Sequence, residues 1–164
     1  MKFDKIKKIS LYIFLGLIWC NASIALSIES VEDEFYNSLD ENPMVLLSQR
    51  CAGLYKYYLE SEWQEILPTL NSKSEDEKKK ILEDFKNPEK NYHMNGYHQM
   101  SLAHTAILLQ DLNYTKEKAG ELGMTQVLEW DKKYKEIKNE NFIKKDLDFC
   151  NIILDKYIKM KADN

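Results

Sequence analysis

All three histidines of this 164-residue chain, His93, His98 and His104, fall in one short segment, interleaved with Tyr92, Met94, Tyr97 and Met100. Imidazole suits Cu(II) and thioether suits Cu(I), so the segment is a candidate copper-type site. Helical geometry argues against a site ready on one helix. At about 100° per residue, His98 lies about 140° from His93, and His104 about 120° from His98. His93 and His104 share a face, but ~1.5 Å per residue sets them ~16 Å apart, too far for one ion. A metal site here needs ligands from another helix or an unwound start around Gly96. The plainer expectation is histidines and tyrosines hydrogen-bonded on a partly wet face, with no metal and no cofactor.

Ser101 and His104 stand one helical turn apart, within reach as a nucleophile and base. No orienting acid is in view, so the pair reads as a side-chain hydrogen bond. Other catalytic templates are missing from the sequence. There is no His-Glu-x-x-His, no Glu-x-x-His, no Cys-x-x-Cys-His, no Gly-x-Ser-x-Gly and no phosphate-cradling glycine loop. The acids are plentiful but sit on solvated faces. An enzyme is not the expected class.

Cys51 and Cys150 each occupy an apolar stripe, one near the start of the domain and one near its end. The expectation is a Cys51–Cys150 disulfide. Redox-active cysteines favour Cys-x-x-Cys at a helix N-terminus, and neither has that context. Arg50, the only arginine among 23 basic residues, would then lie near Asp146 or Asp148. A clamp between first and last helix is its structural role, and ligand recognition its functional alternative. Tyrosine is abundant, with ten in the chain. Tyr55, Tyr57 and Tyr58 circle more than one helix face, which places at least one at the surface. Candidate binding residues are therefore Arg50, Tyr55, Tyr58 and Tyr97, since tyrosine favours surfaces that are part apolar and part wet.

The elements that must position these residues read as helices. Asn42 as cap and Pro43 at the first position open a helix with the stripe Met44, Leu47, Cys51, Leu54, Tyr55, Tyr58 and Leu59, expected to end before Pro68. Ser74 with Glu77 is a capping box for a short helix, apolar at Ile81, Leu82 and Phe85 and stopped at Asn87-Pro88. Further helices are expected over 92–112, over 116–138 behind Thr115, and over 141–160. The fourth is apolar at Leu122, Val127, Trp130, Tyr134 and Ile137, and the last at Ile143, Leu147, Cys150, Leu154 and Tyr157. Runs with period two are lacking. The reading is an all-α, antiparallel four- to five-helix bundle built from residues 43–160 and closed by one disulfide between its first and last helix.

Residues 1–25 read as a signal peptide. Lys2, Lys5, Lys7 and Lys8 precede an uncharged run from Leu11 to Trp19, and Ser23-Ile24-Ala25 fits the small-x-small cleavage rule. That run falls short of the ~20 apolar residues that span a bilayer. Cys20 follows Trp19, a poor fit to a lipid-anchor signal. Residues 26–42 read as an acidic flexible leader and 161–164 as a frayed tail. The signal region is net basic, so the mature chain is more acidic than the −4 of the whole sequence. That charge disfavours nucleic acid and anionic membranes as partners. Two functions remain in contention. The favoured one is a periplasmic or secreted non-enzymatic protein binding a protein or small molecule through a tyrosine-rich face. The alternative is a periplasmic copper-type metal binder using His93, His98, His104, Met94 and Met100.

Overall fold

The computed structural model describes residues 28–37, 42–110 and 112–162. The expected signal peptide and its cleavage point lie outside the described residues. Among the described residues there are six α-helices and no strand: α1 (Val31–Asn37), α2 (Pro43–Leu70), α3 (Glu75–Lys86), α4 (Tyr92–Gln110), α5 (Lys116–Glu136) and α6 (Glu140–Ala162). The chain is an all-α antiparallel bundle, with α2 as the central helix against which α4 and α5 make their largest contacts.

Local chemistry sets most boundaries. The Asn42 side chain accepts from the Met44 amide, and Pro43 fills the first helical position, where a missing N–H costs nothing. Ser74 and Glu77 form the reciprocal capping box at α3, and the Thr115 hydroxyl accepts from the Lys118 amide at α5. Leu47, Cys51, Leu54, Tyr55 and Leu59 then face the core at helical spacing, joined by Met100, Val127, Trp130, Tyr134, Ile143, Cys150 and Leu154. Met44, expected in the same stripe, is largely exposed, and Tyr58 is half-buried. The bridge Cys51–Cys150 joins α2 to α6 with a Cα–Cα separation of 5.5 Å.

Two expectations are corrected. The first concerns Pro68, which does not stop α2: the helix continues to Leu70. In the last turn a proline removes a single ladder bond, and the Thr69 hydroxyl donates to the Ile66 carbonyl at 2.7 Å. The second concerns the acidic leader, whose described part is ordered against the bundle. Ser30 opens α1, accepting from the Asp33 amide at 3.2 Å, and three acids in its first turn suit the positive end of the helix dipole. Val31 joins the hydrophobic core, and Phe35 packs on Phe149 with ring centroids 6.0 Å apart. Helix α6 runs through Ala162, and residues 163–164 lie outside the described residues.

Two glycines allow helices to meet closely. A Cβ on Gly53 would lie 2.5 Å from the Trp130 Cβ and 2.9 Å from the Val127 carbonyl oxygen, so α5 crosses α2 where no side chain intervenes. A Cβ on Gly96 would come within 2.7 Å of the Tyr55 ring, which rests on the α4 backbone. Gly96 therefore lies within a continuous helix, and the unwound start that a metal site would have used is not formed.

Candidate functional site

Arg50 sits at the junction of α1, α2, α5 and α6, 1% exposed beside a fully buried Asp146. Its Nη2 donates to Asp146 Oδ2 at 2.8 Å and to the Glu29 carbonyl, its Nη1 to Glu34, and its Nε to the Tyr134 hydroxyl at 3.1 Å. The Tyr134 hydroxyl in turn donates to Asp146 Oδ2 at 2.7 Å, while Asp146 Oδ1 accepts from the Val31 amide at 2.9 Å. Burial pushes the Tyr134 phenol well above its ordinary value, against the nearby guanidinium, which keeps it a proton donor. The guanidinium also lies 4.4 Å from the Trp130 ring centroid. Arg50 is thus the expected clamp to Asp146 and not Asp148, extended to hold α1. Its alternative role in ligand recognition fails on burial, because its donors face partners within the chain.

The histidines diverge. His93 bonds Glu62 through Nδ1 and stacks on Tyr58, with centroids 5.0 Å apart. His98 is exposed. His104 is fully buried, its Nδ1 3.1 Å from the Ser48 hydroxyl and its Nε2 2.8 Å from Gln126 Oε1. Met100 is a core residue, whereas Met94 is half-buried. Among the described residues no group of three His, Cys, Asp or Glu side chains converges as metal ligands do. The expected Ser101–His104 contact does not form either. The Ser101 hydroxyl has no hydrogen-bond partner, and Ser48 on α2 takes its place at the imidazole.

His104 ties α4 to α2 and α5, and its burial carries a pH dependence. Loss of solvent pushes the imidazole below its ordinary 6.5, partly opposed by the Gln126 bond, which favours the charged form. The folded chain then binds fewer protons than the unfolded one in this range. Stability is complete above the unfolded value of about 6.5 and falls as pH drops through it toward the folded value. Urea midpoints measured from about pH 7.5 to about pH 5 are expected to decline more steeply for the native chain than for His104→Gln. Parallel declines would contradict the assignment.

Tyr55 is fully buried, donating to Asn151 Oδ1 at 2.9 Å, so it belongs to the α2–α6 contact and not to a binding surface. Tyr58 is half-covered by the His93 ring. Tyr97 is the one candidate tyrosine that borders an open concavity. This groove of about 360 Å³ runs between α2, α3 and α4, over Leu59, Trp63, Phe85, Met94 and Tyr97, with Lys56, Glu60 and Lys86 along it. It exists because α3 is a short helix with an apolar side but no fully buried residue, held beside α2 by Trp63 against Phe85 at 5.3 Å. A neighbouring concavity of about 490 Å³ is mixed in character, with Glu62, Glu65 and Asp84 facing Ile66, Ile81, Phe85 and Tyr92. Of its acids, Glu62 is held by Asn91 and His93, and Asp84 by Lys90.

Sequence reasoning missed Trp63 as a site residue. The signal was present: Leu59 and Trp63 lie at i, i+4, which continues the α2 stripe past the point where the facing helices cover it. No protein-family model matches the chain, and no curated protein or solved structure matches it significantly.

Proposed function

We propose that the chain is an exported, non-enzymatic binding protein, a disulfide-stapled helical scaffold that takes an apolar small ligand in the groove between α2, α3 and α4. The observation that carries this reading is the groove itself. Leu59, Trp63, Phe85 and Met94 make a continuous apolar floor, of a volume typical of small-molecule sites and with an aromatic wall. Such a floor left open to water is unfavourable to the isolated fold and points to a ligand. Export is supported by the basic, apolar and small-residue order of residues 1–25 and by a bridge that persists in oxidising compartments. The lack, among the described residues, of a helix long and apolar enough to cross a membrane agrees with it.

An uncharged apolar dye, N-phenylnaphthylamine, tests the reading. The native protein is expected to enhance its fluorescence saturably with a single site. Met94→Glu places a carboxylate on the floor and is expected to abolish the signal while circular dichroism stays unchanged. Enhancement that does not saturate, or that survives Met94→Glu, would remove the groove as a binding site.

A further inference from the structure

The groove is apolar along its floor and cationic at its rim. Glu60 is its one lining carboxylate, and both of its oxygens are held by ammonium groups, Oε1 by Lys56 and Oε2 by Lys135. Lys56 and Lys135 also share Asp131, which completes an alternating four-membered charge network beside the groove. Lys86 ends α3 at the same rim, is exposed, and forms no ion pair among the described residues. Around the groove, three ammoniums therefore face two carboxylates, although the protein as a whole is acidic. The uncompensated charge is that of Lys86. A matching molecule has an apolar body the size of the floor and one anionic group at its end.

Resting on the reading above, we propose that the ligand is a free single-chain carboxylate of the fatty-acid type. Its alkyl chain lies over Leu59, Trp63, Phe85 and Met94, and its head pairs with Lys86. The free molecule is favoured over an anionic bilayer as its source, because the acidic surface outside the groove is repelled by such a bilayer. A groove of about 360 Å³ also lies at the small end of ligand sites and takes one chain rather than a lipid with two.

Trp63 on the floor supplies the reporter, with Trp63→Phe as the signal control. Titration with octanoate, decanoate and dodecanoate at monomeric concentrations is expected to give affinities that rise roughly two- to fourfold per added methylene. Dodecanoate is expected to bind more tightly than dodecanol. Lys86→Gln should weaken dodecanoate about threefold and leave dodecanol unchanged, as a partly exposed charge pair implies. Met94→Glu should abolish binding of both. Dodecanol binding as tightly as dodecanoate, with both lost in Met94→Glu, would overturn the carboxylate assignment and leave the apolar groove standing. Dodecanoate failing to bind while the uncharged dye still binds would also overturn it, and loss of dye binding as well would take the groove reading with it. Co-sedimentation with phosphatidylglycerol vesicles without binding of free dodecanoate would overturn the choice of source.

Discussion

Reducing the Cys51–Cys150 bridge, or replacing Cys51 with alanine, is expected to lower the melting temperature by roughly 15 °C. The bridge joins residues 99 apart in sequence. A loop of that length loses enough unfolded-state entropy to stabilise the fold by ~4.7 kcal/mol in the chain-entropy model. For a chain of this size, ~1 kcal/mol moves the midpoint by roughly 2–4 °C. Both sulfurs are fully buried at the contact of α2 and α6, so the alanine also removes core packing. Such a loss is comparable with the whole stability of a marginal domain. Thermal melts of Cys51→Ala, and of the native chain with and without reductant, check it. A shift of only a few degrees would mean that the interhelical packing suffices alone.

Asp146→Ala is expected to cost about 3–5 kcal/mol, because it leaves the Arg50 guanidinium buried without its fully buried charge partner. The same change removes the acceptor for the Tyr134 hydroxyl and for the Val31 amide, two of the bonds that tie α5 and α1 to α6. Glu34→Gln touches the half-buried edge of the cluster and is expected to cost much less. Urea denaturation gives the magnitude, and hydrogen exchange at Val31 gives the location. Fast exchange at Val31 in Asp146→Ala, with slow exchange retained in α4, is the expected pattern. Equal costs for the two substitutions would contradict a clamp centred on Asp146.

The bridge and the clamp were legible because both obey helical periodicity. Cys51 and Cys150 lie in apolar stripes, and Asp146 stands one turn before Cys150, on the side of α6 that meets Arg50. The caps at Asn42, Ser74 and Thr115 were legible for a local reason, since each satisfies amides within three residues. What escaped depends on contacts distant in sequence. Helix α1 has seven residues, too few to form alone, and its order comes from Arg50, Asp146 and Phe149. Ser30 with Asp33 and the acids of its first turn were its local signs. The three histidines go separate ways, as helical spacing implied, because closeness in sequence is not closeness in space. One ring faces Glu62, one faces water, and one lies between Ser48 and Gln126. The groove escaped because Trp63 reads locally as one more apolar residue of the α2 stripe, and because nothing local says that α3 packs loosely.

The fold is closed by a disulfide and export is the proposal that goes with it, and the intact mass of the protein recovered from the exported fraction of its own cells tests both at once. The predicted result is a mature chain starting between Asn21 and Ile28, which gains about 2 Da on reduction as the bridge takes up two hydrogens. A cell-retained chain still carrying its N-terminal lysines, with its mass unchanged by reductant, would contradict it.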